Sequence, residues 1–161
     1  MQIRPYKTED REAIIRLHGE LQDYERAFRT TRAQGRAVSE RQVADYEAMM
    51  ASADEDAHLF IAEDDGTIIG FVFFLAEDEV LEDDPGQVYV QDIAVTSDHR
   101  RMGVGAALMG KVRRFMAGRG LGRIDLQVLV GNDEALAFYR ALGFETAYLG
   151  LKAVLPSPTD D

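Results

Sequence analysis

"TSDHRRMGVGAALMGKVRR", Thr96–Arg114, is a basic stretch in an acidic chain. The 161 residues hold 29 Asp and Glu against 18 Lys and Arg, a formal net charge of -11. Yet from His99 to Ile124 there is no carboxylate, and there are seven Lys or Arg. Gly103 and Gly105 open an apolar-periodic run with Val104, Leu108, Val112, Phe115 and Met116 on one stripe, which predicts a helix from about Gly103 to Ala117. The strand pattern "VYVQDIAV", 88–95, leads into it. A helix start carries unpaired N–H groups and a partial positive charge. A turn that folds its N–H groups inward becomes an anion nest. Gly103 and Gly105 let a phosphate approach the backbone, and Arg100 and Arg101 add charge.

Working outward, "QIRPY" at 2–6 reads as a short strand, and Thr8 as the cap of a helix carrying Ala13, Ile14, Leu17 and Leu21 on one face. "TTRAQGRA" at 30–37 is a loop, and Ser39 starts a second helix through about Ala51. "HLFIAED" and "TIIGFVFFLA" are strands joined by the hairpin signal Asp65-Gly66. "EDEVLEDDPG" at 77–86 is an acidic turn. "RIDLQVLV" at 123–130 is a strand. Asn132 caps a helix through Leu142, ended by Gly143. A last strand or strand pair is expected over Glu145–Leu155. The order β-α-α-β-β-β-α-β-α-β-β predicts one α/β (α+β) domain over 1–155, a mixed sheet with flanking helices. The tail at 156–161 is expected to be disordered.

Composition narrows the function. There is no cysteine, hence no disulfide framework, thiolate metal site or cysteine acyl-enzyme. His18, His58 and His99 show no metal-ligand or triad spacing, so no metal is expected. The negative charge argues against a nucleic-acid partner. "MQIRPYKTED" lacks an apolar signal core, and "IIGFVFFLA" is far short of the ~20 residues a membrane helix needs. A cytoplasmic protein with no membrane partner is expected.

Three phosphate-binding patterns compete at the basic stretch. "GAALMGKV", 105–112, resembles a Walker loop but has Val112 where Ser or Thr must hold magnesium. The dinucleotide fingerprint G-x-G-x-x-G needs a small residue where Leu108 stands. The third pattern, [Q/R]-x-x-G-x-[G/A], fits Arg100-Arg101-Met102-Gly103-Val104-Gly105. From these six residues alone, an ordinary capped helix with surface arginines competes equally. The wider context separates them. "DIAVTSDHRRMGVGAALM", followed after one strand by "VGNDEALAFYRALGFE", resembles the GCN5-related N-acetyltransferase (GNAT) family, as do the opening "IRPYKTED" and the closing segment with Lys152.

That resemblance implies a mostly antiparallel mixed sheet whose fourth and fifth strands splay to admit acetyl-CoA, used as co-substrate. It implies pyrophosphate on Met102, Gly103, Val104, Gly105 and Ala106, with Arg100, Arg101 and Lys111 supplying charge. The pantetheine arm would follow Ile93, Ala94 and Val95. Asn132 would contact that arm or hold the splayed strand. Phe138 and Leu142 read as core, and the resemblance adds Phe138 to the cofactor's surroundings. Tyr139 reads as core from its helix alone, and the resemblance makes it a general acid facing the thioester sulfur. Arg119 and Arg123 read as solvated surface.

The reaction implied is direct acetyl transfer to a primary amine. An alkylamine with pKa about 10.4 costs roughly 4.6 kcal/mol to deprotonate at pH 7. A tyrosine with pKa about 10 is an uphill donor to a thiolate near 8.5, by roughly 2 kcal/mol, unless its site lowers its pKa. Asp92 is a candidate base through water, or else a strand carboxylate paired with a donor. "VYVQDIAV" and "ELQDYE", 20–25, also resemble the diamine acetyltransferase branch, but Gln91 stands where that branch has Glu. The acidic turn Glu77–Asp84 is either an attractor of cationic amines or a solvated hairpin. A small-molecule amine is the leading acceptor. Alternatives are an aminoglycoside, a protein N-terminus or lysine, or a non-catalytic acyl-CoA-binding module. The family resemblance also suggests a homodimer.

Overall fold

The structure is a computed structural model that describes residues 1–28, 33, 35–78 and 85–153. Its five-stranded sheet has the order β1-β2-β3-β4-β5. The strands are β1 (Gln2–Pro5), β2 (Ala57–Asp64), β3 (Thr67–Glu77), β4 (Gln87–Val95) and β5 (Arg123–Leu126). The first four pair antiparallel as neighbours, and β5 pairs parallel to β4. Among the described residues, four helices flank the sheet: α1 (Arg11–Glu25), α2 (Arg36–Ala51), α3 (Val104–Arg119) and α4 (Asp133–Ala141). Among the described residues, no helix is long and apolar enough to cross a membrane.

The apolar run of β3 is explained by helices on both faces of the sheet. Val72, Phe74 and Ala76 bury against Val104, Leu108, Met109 and Val112 of α3. Phe71 and Phe73 bury on the opposite face with Ile14, Ile15 and Leu17 of α1 and Val43 and Tyr46 of α2. Phe71, Phe73 and Phe74 are fully buried, each stabilising the sheet by about 1.5–3 kcal/mol.

One irregularity in β4 shapes the molecule. Phe74 stands opposite Val90, but Phe73 stands opposite Asp92. Gln91 is therefore an extra residue, a β-bulge. Side chains alternate along a strand, so the bulge reverses which face later residues occupy. Val88 and Val90 pack toward α3, whereas Ala94 packs with the α1 and α2 cluster. Pairing to β5 ends beside the bulge, at Val90 opposite Leu126. The two parallel strands then part.

Several expectations are corrected. β5 stops at Leu126 rather than residue 130, because β4 turns away and leaves Gln127–Leu129 without a ladder partner. The last strand expected over Glu145–Leu155 is not formed in its described part, 145–153; Tyr148, Leu149 and Leu151 lie exposed with no layer to bury them. The second helix starts at Arg36, and Ser39 is buried inside it against His18. Thr8 starts a short 3-10 turn; the Asp10 carboxylate, not Thr8, caps that turn by accepting from the Lys7 N–H at 2.8 Å. Residues 79–84 of the acidic turn and the 156–161 tail lie outside the described residues.

Candidate functional site

The parting of β4 and β5 opens a cleft of about 520 Å³. Its floor is Gln91–Val95 of β4, and one wall is the turn into α3 with the start of that helix. Gln127–Leu129 and α4 form the opposite wall, and Leu21, Tyr24 and Glu25 of α1 reach in from the end. Asp92, Ile93, Ala94, Val95, Arg100, Arg101, Gly103, Gly105, Ala106, Asn132, Phe138 and Tyr139 all line it. Three expected residues do not. The Met102 side chain is exposed, and that of Val104 is buried in the core under α3. Lys111 lies over the Phe60 ring, away from the cleft. Arg119 is bound to Asp56 and Asp78, and Arg123 to Gln87 and Asp125, as surface groups.

The α3 turn is built by two left-handed residues, Arg101 at φ 61° and Gly103 at φ 84°. A glycine adopts this conformation without strain, whereas a Cβ costs about 1–2 kcal/mol. The first bond inside α3 runs from the Ala107 N–H to the Gly103 carbonyl, so the amides of the first turn lack intrahelical acceptors. Gly105 has a different reason. A Cβ there would lie 3.1 Å from Phe138 Cζ, so its absence lets α4 pack against α3. The Arg100 Nε donates to the Val95 carbonyl at 3.1 Å, and its guanidinium sits 4.7 Å from the centre of the Tyr24 ring. Arg101 is exposed and reaches Glu134 at 3.3 Å.

Asn132 caps α4 by accepting from the Ala135 N–H at 3.1 Å. The Tyr24 hydroxyl lies 3.1 Å from both Asn132 Oδ1 and Glu134 Oε2, so α1 is tied to the start of α4 across the cleft mouth. Burial first, then the bond to Glu134, raises the Tyr24 pKa. That same bond, followed by the one from Arg101, lowers the Glu134 pKa.

Deeper in the cleft, Asp92 accepts a short hydrogen bond at Oδ2 from the Tyr46 hydroxyl. Tyr139 is 8% exposed, and no described residue hydrogen-bonds its hydroxyl. Burial, then the nearby negative charge of Asp92, pushes the Tyr139 hydroxyl well above the ordinary tyrosine value. This is opposite to the lowering that would make it a strong acid, and it fixes the proton on the ring oxygen at neutral pH. Sequence reasoning missed Tyr24 and Tyr46. Tyr24 carries no motif beyond "ELQDYE". Tyr46 follows Val43 on the buried stripe of α2 and is indistinguishable there from a core residue.

The family model described as the acetyltransferase (GNAT) family matches residues 19–144. A mycothiol acetyltransferase of Clavibacter sepedonicus is 35% identical over 124 residues, covering 76% of this chain and 37% of that protein. A streptothricin acetyltransferase of Streptomyces lavendulae is 34% identical over 105 residues, covering 63% of this chain and 51% of that protein. The chain thus matches only a third to a half of the length of these curated relatives. Among solved structures, a mutant protein from Bacillus halodurans superposes with a TM-score of 0.83 at 20% identity, covering 97% of this chain and 100% of that one. An aminoglycoside acetyltransferase from an uncultured soil metagenomic sample superposes with a TM-score of 0.71 at 18% identity, covering 96% of each chain. At these identities the superpositions establish the fold.

Proposed function

The chain belongs to the acetyltransferase (GNAT) family, and from that premise we propose that it transfers the acetyl group of acetyl-CoA directly to a primary amine on a small molecule. The observation that carries this reading is the cleft between the parted strands, with the left-handed turn of Arg101 and Gly103 at one end and Tyr139 among its lining residues. Its volume falls within the roughly 300–1,000 Å³ of small-molecule sites. Beyond Val90 the β5-facing edge of β4 has no strand partner among the described residues, which supports an extended arm along Ile93–Val95. The amides around Gly103–Ala106 suit a pyrophosphate, and Arg100 and Arg101 supply charge beside them. Asn132 supports the arm from the α4 side.

In this reading acetyl-CoA supplies an activated acyl group, and the protein supplies position and proton control. Tyr139 holds its proton and donates a hydrogen bond to the departing sulfur as negative charge develops there. A fully formed tyrosinate is disfavoured by burial and by Asp92. Asp92, held by Tyr46, takes the proton of the incoming ammonium through water. The relatives named as mycothiol and streptothricin acetyltransferases support a small-molecule acceptor. The test is release of free thiol from acetyl-CoA across a panel of small amines, aminoglycosides, peptides and lysine-containing protein. Turnover confined to peptides or protein would reassign the acceptor. Tight acetyl-CoA binding with no turnover on any amine would make the chain a binding module.

A further inference from the structure

Asp92 reaches the cleft from a strand whose regular course would have carried it to the other face of the sheet. The bulge at Gln91 presents it to the α1 and α2 face, opposite Phe73. There Tyr46 meets it. Tyr46 is fully buried, stacks on the Phe73 ring at 4.1 Å, and donates its hydroxyl hydrogen to Asp92 Oδ2. Its ring is fixed on further sides by Phe71 at 6.3 Å and by the edge of His18 at 6.4 Å. His18 is held in turn by Ser39 at 3.1 Å and Gln22 at 3.3 Å. A tyrosine anchored this way fixes both the position and the orientation of whatever its hydroxyl binds.

We propose that Tyr46 is a positioning residue for acetyl transfer: it clamps Oδ2 of Asp92 and turns Oδ1 toward the amine acceptor. This rests on the reading of Asp92 as the base. Tyr46 does not line the cleft, so it reaches the acceptor through Asp92. A phenol places its proton along a short, fixed bond, whereas a water in the same place would be free to reorient. A hydrogen bond to an ionised carboxylate also favours that form over the protonated one. The other charged or titratable groups lining the cleft with it are Tyr24 and Glu25 from α1, His99, Arg100 and Arg101 from the turn before α3, and Glu134 and Tyr139 from α4, while His18 lies against the Tyr46 ring. These remain unchanged when Tyr46 loses only its oxygen.

The test is a double-mutant cycle with Tyr46→Phe and Asp92→Asn, read by kcat/KM for the best amine and by its pH profile. Tyr46→Phe keeps the ring in its stack. It is expected to lower kcat/KM by about tenfold, the size of a hydrogen bond to a charged group. The acid limb should move to higher pH, because the carboxylate has lost the bond that favoured its ionised form. Acetyl-CoA affinity should stay at the parent value. In the Asp92→Asn background, Tyr46→Phe should cost nothing further. Independent, multiplying losses with an unmoved acid limb would overturn the proposal and leave Tyr46 as a packing residue. If Asp92→Asn alone keeps the parent kcat/KM, the base assignment fails first. Should Tyr46→Phe melt well below the parent, the pH profile at a temperature where both are folded still decides, because a packing defect does not move an acid limb.

Discussion

Gly105→Val tests how the cofactor wall is built. An ideal Cβ on Gly105 lies 3.1 Å from Phe138 Cζ and 3.4 Å from Cε2. Carbon pairs prefer about 3.5–4.0 Å, so even alanine requires the Phe138 ring to yield by a few tenths of an ångström. For alanine that cost is offset by up to about 1 kcal/mol of helix propensity gained over glycine. Valine adds two methyl groups against the same ring, and overpacking of this kind costs about 1–3 kcal/mol. Phe138 lines the cleft and packs edge-on against Tyr139 at 5.0 Å, so a displaced ring intrudes on the arm-binding channel. Gly105→Ala should therefore stay near the parent in stability and acetyl-CoA affinity. Gly105→Val should lose about 2–4 °C of Tm per kcal/mol of strain. Its acetyl-CoA affinity should fall at least about tenfold, or about 1.4 kcal/mol. Calorimetric melting and titration measure both, and Phe138→Leu added to Gly105→Val should recover the lost Tm. A valine variant with the parent's Tm and affinity would refute the packing argument.

Gly103→Ala meets no neighbouring atom but sits at φ 84°, so it should cost about 1–2 kcal/mol of stability through backbone strain, read by denaturant titration. Tyr139→Phe keeps the ring and removes the donor; kcat should fall at least about tenfold with acetyl-CoA affinity and Tm little changed, and an unchanged kcat under rate-limiting chemistry would make Tyr139 a packing residue. Tyr24→Phe frees Asn132 and Glu134 from α1, and should raise the acetyl-CoA Kd by a few-fold, of the order of one hydrogen bond, in a calorimetric titration. The Arg4 guanidinium, helped by the Lys7 amide and opposed by burial, holds the Asp10 pKa below its ordinary value. Its stabilisation is complete above about pH 4, the unfolded value, and is lost as pH falls through the lower folded value. Melting curves from pH 7 to pH 2 should show that acid loss, reduced in Asp10→Asn.

Much of the fold was legible because its signals are local. The stripe Leu108, Val112 and Met116 marks α3, and Asp65-Gly66 marks the β2–β3 turn, each within a few residues. Asn132 was legible as a cap because capping is decided within one helical turn. What failed was non-local. A strand pattern at 123–130 cannot reveal that its neighbour bends away after Val90. Nor does the sequence near Gly105 announce Phe138, which is brought there by packing of α4 on α3; the glycine was read as room for phosphate, and a Cβ there would also meet a ring. Tyr46 was invisible for the same reason. Its partner Asp92 lies 46 residues away in sequence and meets it only through the sheet.

The bulge at Gln91 links these non-local features. Were Gln91 accommodated in a regular strand with no bulge, period-two alternation would carry Asp92 and Ala94 to the same face as Val88 and Val90, into the apolar cluster under α3. A carboxylate there would be buried with no donor, a loss of several kcal/mol. The small residue Ala94 would also leave a gap among Leu108, Val112 and Met109, whereas on the α1 side it fits beside Phe71, its partner across the strands. The bulge also increases the local twist of β4 at the point where its pairing with β5 ends. Opening of the cleft and delivery of Asp92 to Tyr46 are thus two consequences of one backbone irregularity. This explains how Asp92 comes to stand between two tyrosines in different states. Tyr46 gives the carboxylate its hydrogen bond, while Tyr139, held above its ordinary pKa by burial and the same charge, keeps its proton free for the cleft.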